Sequence, residues 1–284
     1  MQNFILQPLE DRIILRDSTE AHPFQLERMS SFTGIPLSGP ESASPNLIFS
    51  NSVPENATLL KRWENGELAF DRDSLVFHIT IYKKELLTTS LRSLVASWSM
   101  GLSAAFASAM LRGANIIPVH GVLLDTPKGG LLFCGQGGVG KSTTARRWRE
   151  AGGNAPADDM VLLEYGDHEI AAHPLPTWSR CSESVEGEYF PFSKRIVLNR
   201  IFAIGRDPVR ENIRPIPEWQ YFMNILSACT LFTSYMTNLL PEPEQKRMLE
   251  TVRSVASRLS GHFPPAGMFA HLDADLTQTL KDYL

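Results

Sequence analysis

The residues best suited to chemistry lie in one glycine-rich stretch, which reads GQGGVGKST. It fits the pattern G-x-x-x-x-G-K-[ST], in which the glycines let successive backbone N–H groups turn inward around phosphates. Lys141 supplies a cation for the β- and γ-phosphates, and the Ser142 hydroxyl is the expected Mg²⁺ ligand. The pattern therefore predicts a site for ATP and Mg²⁺. The expected nucleotide contacts are Gly135, Gln136, Gly137, Gly138, Val139, Gly140, Lys141, Ser142 and Thr143.

Two adjacent acids, Asp158 and Asp159, follow 17 and 18 residues after Lys141. Phosphoryl transfer needs a group that accepts the proton of the acceptor, and the metal favours a carboxylate. A doubled acid allows Asp158 to orient Mg²⁺ while Asp159 faces the acceptor hydroxyl. Adjacent acids at a strand start are also common in solvated turns. The preceding residues 154–157 are only weakly apolar, unlike an ordinary Walker B strand.

A histidine and a run of arginines are the other candidates. His120 stands in PVHGVLLD, 15 residues before Gly135. If the two strands around it form a hairpin, we expect His120 to lie well along the strand from the loop, and a structural histidine is the plainer interpretation. Arg146, Arg147 and Arg149 follow the loop and are interpreted as a solvated helix face. The alternative is contact with an acidic substrate segment.

The surrounding pattern predicts the elements that position these residues. Apolar and β-branched runs predict strands, and apolar residues at helical spacing predict helices. Residues 33–60 are rich in Pro, Ser, Gly and Asn, which indicates loops. Strands are predicted at 75–82, 119–125, 131–134, 160–165 and 194–205, and helices at 89–112, from 141 to Gly152-Gly153, 218–238 and 242–259. The pattern favours an α/β fold in which a hairpin leads directly into the loop.

The bulk composition limits the partners. With 284 residues, 43% hydrophobic, and a net charge of −4, the chain is typical of globular proteins and shows no basic excess for nucleic acid. Three widely spaced cysteines form neither a metal pattern nor a disulfide framework, which favours a reducing, cytoplasmic location. The uncharged segment 93–111 is rich in serine and alanine. We expect it to be a buried helix and not a membrane span.

Three features together resemble the HPr serine kinase/phosphorylase family. They are V-H-G-V-L-L-D at 119–125, G-Q-G-G-V-G-K-S-T at 135–143 and A-D-D-M-V at 157–161, and the resemblance is specific over about residues 110–165. It implies a nucleotide-binding mixed sheet similar to that of phosphoenolpyruvate carboxykinase. It also implies that Asp159 is the general base, that Asp158 shapes the same site, and that His120 supports the carboxylate and the transferred phosphate.

The sequence departs from that family at identifiable positions. Gly137 stands where the family has a serine, and Thr143 where it has a glutamate. Its glycine-rich signature after the aspartate pair is replaced by a segment in which Glu183, Glu186 or Glu188 could supply a further metal carboxylate. The chain is more similar to shorter relatives encoded with peptide-modification systems, such as lasso-peptide tailoring kinases.

These observations lead to one expected function and two alternatives. We expect an ATP- and Mg²⁺-dependent kinase that phosphorylates a serine of a peptide or protein, with no nucleic acid or membrane partner, and a homo-oligomer is compatible with the resemblance. The alternatives are a nucleotide-binding regulatory module and a kinase of a small metabolite. The expected organisation is a strand-rich region at 1–88 for substrate recognition, a kinase core at 89–210 and a helical region at 211–284 packed on the core.

Overall fold

The computed structural model describes residues 2–6, 12–18, 26, 30, 36–39, 43–64, 66–82, 91–175, 194–271 and 274–284. In this part of the chain, strands form two mixed sheets and are joined by five α-helices. Described residues up to 116, together with 234–249, form one compact unit. Residues 117–175, 194–233 and the described residues from 250 onward form the second. The α/β class is confirmed, and the expected division into three segments stays a prediction.

The sheet of the first unit has seven described strands in the order β3-β1-β2-β4-β7-β6-β5. The β2–β4 and β4–β7 pairs are parallel, and the other pairs are antiparallel. The strands are β1 (Gln2–Leu6), β2 (Ile13–Asp17), β3 (Leu37–Ser38), β4 (Leu47–Ser50), β5 (Thr58–Trp63), β6 (Gly66–Asp71) and β7 (Val76–Ile81). The expectation of loops over residues 33–60 was therefore wrong in part, since β3, β4 and the start of β5 fall there.

Helix α1 (Leu91–Leu111) packs on one face of this sheet. Leu15, Leu47 and Phe77 face one another across β2, β4 and β7 and are fully buried. A Cβ added at Gly101 of α1 would lie 3.3 Å from the Leu47 side chain, so the helix backbone contacts this row directly. The predicted helix is confirmed, and its residues 101–111 are buried apart from the half-buried Ser103. None of the helices in the described ranges has the length and apolar character that crossing a membrane requires.

The second unit contains the glycine-rich loop and a second sheet. The strand order of this sheet is β10-β8-β11-β12-β13-β15-β14, and β9 pairs with both β8 and β13. The strands are β8 (Ile116–Thr126), β9 (Gly129–Cys134), β10 (Asn154–Ala157), β11 (Met160–Tyr165), β12 (Ile170–Pro174), β13 (Ile196–Arg206), β14 (Asn212–Pro215) and β15 (Ala266–Ala270). The remaining helices of the chain are α2 (Lys141–Glu150), α3 (Glu218–Leu239), α4 (Glu242–His262) and α5 (Leu276–Leu280), followed by a 3₁₀ turn at Lys281–Tyr283. The end of α3 and the start of α4 belong to the first unit.

Strand β9 is held on both sides, which fixes the start of the loop. It is antiparallel to β8 and parallel to β13, as the predicted hairpin and mixed sheet require. Phe133 of β9 stacks on Phe202 of β13 with ring centroids 5.2 Å apart, and Trp148 of α2 joins the same buried cluster. The loop between β9 and α2 is thus anchored at both ends. Strands β10, β12, β14 and β15 were not predicted, because each has only four or five residues and depends on pairing within the tertiary fold.

Candidate active site

The glycine-rich loop has a packed base and an open rim. At its base, a Cβ added at Gly135 would lie 2.8 Å from the carbonyl oxygen of Ile204. At its rim, Gly138 and Gly140 have φ of 76° and 112°, which side chains disfavour, and a Cβ at either would meet nothing within 4 Å. Gly140 directly precedes the first residue of α2. An open glycine rim before a helix N-terminus is the arrangement that binds phosphate.

Lys141 lies within this loop and is buried. Its Nζ donates to the carbonyl oxygens of Gly135 and Gln136, each at 2.9 Å. Burial lowers the pKa of the lysine, whereas the charge of Asp159 acts in the opposite direction. Lys141 is therefore close enough to Asp159 for their charges to interact. A phosphate beside the ammonium group would stabilise its protonated form.

Cys134 ends β9 next to the loop but does not provide a nucleophile. Its side chain is buried, and burial raises the pKa of the thiol to about 12. A thiol protonated at neutral pH is a poor nucleophile. Cys134 therefore packs the start of the loop.

His120 meets Asp159 beside the loop, and the expectation that it lies far along the strand was wrong. In the β8–β9 hairpin, Gly121 pairs with Cys134, the last residue before Gly135. The N–H of Gly121 also donates to the carbonyl oxygen of Asp159 at 3.0 Å. The tight turn makes the two strands run back over equal lengths, so that His120 returns to the loop end of the sheet.

The side chains of His120 and Asp159 form a direct pair. Nδ1 of His120 lies 3.0 Å from Oδ1 of Asp159, and the two side chains are 18% and 35% exposed. The histidine is mostly enclosed, whereas the carboxylate keeps access to a molecule that approaches the loop. This geometry allows the carboxylate to accept a proton while the imidazole holds its orientation.

Asp158 has a different environment from its neighbour. Its side chain is 6% exposed, and Oδ2 lies 3.1 Å from Nη2 of Arg149 in α2. The two adjacent acids therefore point to different partners, one to an arginine of the helix and one to a histidine of the sheet. The metal role expected for Asp158 stays a prediction, and its ion pair with Arg149 competes with that role.

The solvated-face interpretation of the arginine run holds for only one member. Arg146 is 67% exposed and contacts Glu150, one helical turn later. Arg147 instead forms an ion pair of 2.6 Å with Glu211, whose side chain is fully buried. Arg149 pairs with Asp158, as described above. The sequence pattern gave no signal for these two partners, because both lie outside the helix.

A cavity of about 410 Å³ adjoins the loop. Arg206, at the end of β13, lines it and donates a hydrogen bond to the carbonyl oxygen of Gly138. Because β13 runs parallel to β9, the ends of both strands lie at one edge of the sheet, and this relation could have identified it. The lining residues are Val139, Gly140, Thr143, Thr144, Arg147, Arg206, Asp207, Pro208, Ala270 and His271.

The possible metal ligands among the described residues suit an ion that binds together with a nucleotide. Within the described ranges, no group of three or more His, Cys, Asp or Glu residues is arranged to hold a metal ion. Mg²⁺ usually takes most of its ligands from phosphates and water, and needs only one or two from the protein. The exposed Ser142 at the start of α2 is suited to that part. Glu183, Glu186 and Glu188 lie outside the described residues.

The chain matches a protein-family model and aligns with a solved structure at low identity. The model described as "SynChlorMet cassette protein ScmC" matches residues 88–255, which is more than half of the chain. No curated protein matches the sequence. The Hpr(Ser) kinase/phosphatase from Coxiella burnetii aligns at 17% identity with a TM-score of 0.24, over 35% of this chain and 76% of that chain.

Proposed function

The chain belongs to the SynChlorMet cassette protein ScmC family, and from that premise we propose that it is a kinase. It transfers the γ-phosphate of ATP to a serine hydroxyl of a peptide or protein. The observation that carries this proposal is the pairing of Asp159 with His120 beside the loop that holds Lys141. A protein that only binds nucleotide needs the loop, but it needs no accessible carboxylate positioned by a histidine.

The phosphates of ATP bind across the open glycine rim. The N–H groups of the loop and the start of α2 face the phosphate oxygens, and the ammonium group of Lys141 balances their charge. The nucleoside enters the 410 Å³ cavity next to Thr143 and Arg206. Ser142 would hold Mg²⁺ together with the phosphates, and the bound ion would supply positive charge to the phosphate oxygens.

The transfer step uses Asp159 as the base. The carboxylate accepts the proton of the serine hydroxyl, and the serine oxygen forms a bond to the γ-phosphorus. The bond between that phosphorus and the β,γ-bridging oxygen breaks, and its electron pair leaves with ADP. His120 is a positioning residue, because Nδ1 fixes the orientation of the carboxylate from within the protein.

Asp158 orients the site and does not react. Its ion pair with Arg149 ties the start of β11 to α2, which is the helix that follows the loop. The loop and Asp159 are therefore held at a fixed distance. Serine as the acceptor comes from the motif resemblance, and the alternatives of a regulatory module or a small-molecule kinase are outcomes of the test below.

The test compares wild type with Asp159→Asn, using [γ-³²P]ATP, Mg²⁺ and the peptides encoded beside the gene. Loss of the base should lower transfer about 10²- to 10⁴-fold, since this is the usual contribution of general base catalysis. ATP affinity, measured by calorimetry, should change less than about threefold, because the loop is intact. Asp167→Asn, which changes an 89% exposed acid in the same unit, is the matched control.

Each other outcome has a distinct meaning. Equal loss of transfer and ATP binding would exclude Asp159 as the base. Tight ATP binding with no label on any peptide would favour the regulatory module, or a small-molecule acceptor if ADP still accumulates.

A further inference from the structure

Arg206 is a cation at the mouth of the cavity beside the glycine-rich loop. Its Nη2 donates to the carbonyl oxygen of Gly138, at the rim of the loop, and its side chain lines the cavity. The residue is exposed, and this neutral carbonyl is the only partner that the described residues give it. A guanidinium group has several N–H donors in one plane, so that most of them are available to a ligand.

The sheet fixes the point from which the Arg206 side chain extends. Ala203 of β13 pairs with Cys134, the last residue of β9, so that Arg206 lies beyond this pair and beside the loop. Arg206 itself pairs with Ala270 of β15, and the following N–H, that of Asp207, donates to the Ala270 carbonyl oxygen at 3.1 Å. The backbone is therefore held by a neighbouring strand, and only the side chain has to adjust to a ligand.

Asp207, the acid next to Arg206, is directed to other partners. Its Oδ1 accepts from the N–H groups of Val209 and Arg210, at 2.9 and 3.2 Å, and its Oδ2 accepts from Asn212 at 3.4 Å. The two N–H donors are the main reason that the pKa of Asp207 is lowered. Among the contacts of the described residues, no ion pair joins Arg206 to Asp207. The negative charge is thus stabilised within its own turn, and the guanidinium is left available to an anion.

The position of Arg206 along a bound nucleotide follows from the two ends of the site. In the proposed function the nucleoside occupies the cavity, and the γ-phosphate lies near Lys141 and Asp159. The described residues that line the cavity include Arg206 but neither of these two. The α-phosphate joins the nucleoside to the rest of the triphosphate, and so it lies where the cavity meets the loop rim. That is the place at which the Arg206 guanidinium contacts the Gly138 carbonyl.

A phosphate suits the guanidinium better than other ligands do. A hydrogen bond between two charged groups is about twice as strong as one between neutral groups, so that a phosphate oxygen is a better acceptor than the Gly138 carbonyl. The planar guanidinium also matches two oxygens of one phosphate at once. Arg147, the other arginine that lines the cavity, is already neutralised by its buried glutamate partner. A metal ion would be repelled by Arg206.

We propose that Arg206 binds the α-phosphate of the nucleotide and thereby sets the position of the triphosphate along the loop. The proposal rests on the proposed function for the nucleotide as the ligand of the loop. The α-phosphate takes no part in the transfer, so that the contact is the same in the ground state and the transition state. It should therefore act on nucleotide affinity and not on kcat.

The test measures binding without phosphate transfer. ADP and inorganic tripolyphosphate, which has no nucleoside, are titrated by calorimetry into wild type and Arg206→Gln in the same Mg²⁺ buffer. Both ligands should bind about 5- to 50-fold more weakly to the variant, because a charge-assisted hydrogen bond is lost. Arg206→Lys keeps the charge without the planar fork, and its affinity for both ligands should lie between those of wild type and Arg206→Gln.

Arg210→Gln is the matched control. It removes the same charge from an exposed residue of the turn that follows β13, and it should change both affinities less than about twofold. A loss of ADP affinity with unchanged tripolyphosphate affinity would show that Arg206 contacts the nucleoside, and would overturn the proposal. Unchanged affinity for both ligands in Arg206→Gln, or equal losses in Arg206→Gln and Arg210→Gln, would overturn it as well.

The two proposals fail in different ways. Weaker binding of ADP and tripolyphosphate to Arg206→Gln, without phosphorylation of any peptide, would retain the phosphate contact and reject the kinase. Phosphorylation with an unchanged KM for ATP in this variant would retain the kinase and reject the contact. If both are correct, Arg206→Gln raises the KM for ATP about 5- to 50-fold and changes kcat less than about threefold. Failure of wild type to bind either ligand would reject both.

Discussion

In the first unit Asn46 is 3% exposed and has its hydrogen-bonding groups occupied, whereas in the second unit Asp159 keeps about a third of its side chain exposed beside the glycine loop. Oδ1 of Asn46 accepts from the N–H of Ile14 at 3.0 Å, and Nδ2 donates to Ser108 in α1. The Ser108 hydroxyl in turn donates to the carbonyl oxygen of Leu75. Asn46 therefore joins strand, helix and turn.

The difference between Asn46 and Asp159 shows what decides whether a polar side chain stabilises the fold or is accessible to a ligand. Asn46 lies between elements, and all its partners belong to the protein, so that it contributes to the register and stability of the sheet. Asp159 lies at the end of strands, and its one enclosed partner, His120, leaves part of the carboxylate accessible. Placement at a strand end, more than residue type, makes a polar group available to a ligand.

The largest effect on stability is expected for Asn46, and it should leave phosphate transfer unchanged. Asn46→Ala should lower the free energy of unfolding by about 1–3 kcal/mol, because it leaves the buried N–H of Ile14 without its acceptor and removes the donor to the Ser108 oxygen. Phosphate transfer per folded molecule should not change. Urea unfolding and the labelled-ATP assay measure the two quantities. Asn51→Ala, at an exposed position of the same unit, is the control. A slower transfer without loss of stability would contradict the comparison.

The next prediction compares two glycines of the loop, the packed Gly135 and the open Gly137. Gly135→Ala places a Cβ 2.8 Å from both the carbonyl oxygen and Cγ2 of Ile204, and should cost about 1–3 kcal/mol of stability. At Gly137 an added Cβ meets nothing within 4 Å, so that Gly137→Ala should change stability by less than about 0.5 kcal/mol. ATP affinity should also change less than about threefold in Gly137→Ala, because the open rim leaves room for the methyl group, whereas the displaced loop base in Gly135→Ala should weaken ATP binding. Thermal unfolding and ATP titration of both variants would test this, and the reverse pattern would contradict it.

The sequence predicted the parts of the site that depend on short segments. The strand, glycine loop and helix around Lys141 follow from local spacing, and the structure has them at Gly129–Cys134 and Lys141–Glu150. The position of His120 was predicted wrongly although it was available from the hairpin. Counting back equally from the turn pairs Gly121 with Cys134 and returns His120 to the loop.

The sequence could not predict contacts between residues that are distant along the chain. Arg147 meets Glu211, 64 residues later, and nothing in the helical pattern distinguishes it from the exposed Arg146. Strand β4 was missed because its four residues gain stability from parallel neighbours, β2 and β7, that are remote in sequence. Pairing of this kind depends on the tertiary fold more than on local preference.

The smallest expected effect is on the pH dependence of stability, and it concerns His78, which is enclosed in the first unit, whereas His120 lies at the candidate site of the second. His78 is 7% exposed, and among the described residues its Nδ1 has no hydrogen-bond partner. Burial lowers the pKa of His78, and the charge of Asp71 acts in the opposite direction. The unfolded chain therefore binds a proton more readily than the native protein, so that stability is lost as the pH falls below the unfolded value of about 6.5.

His78→Gln removes this titration and should reduce the loss of stability between pH 7.5 and pH 5.5 by no more than about 1 kcal/mol. Burial also lowers the pKa of His173 in the second unit, so that part of the acid dependence should persist in the variant. Urea unfolding at the two pH values, for wild type and variant, measures the difference. An acid loss that stays the same in His78→Gln would show that the enclosed histidine does not couple protonation to unfolding. A pH dependence of transfer that changes with this variant would contradict the separation between enclosed and accessible polar groups.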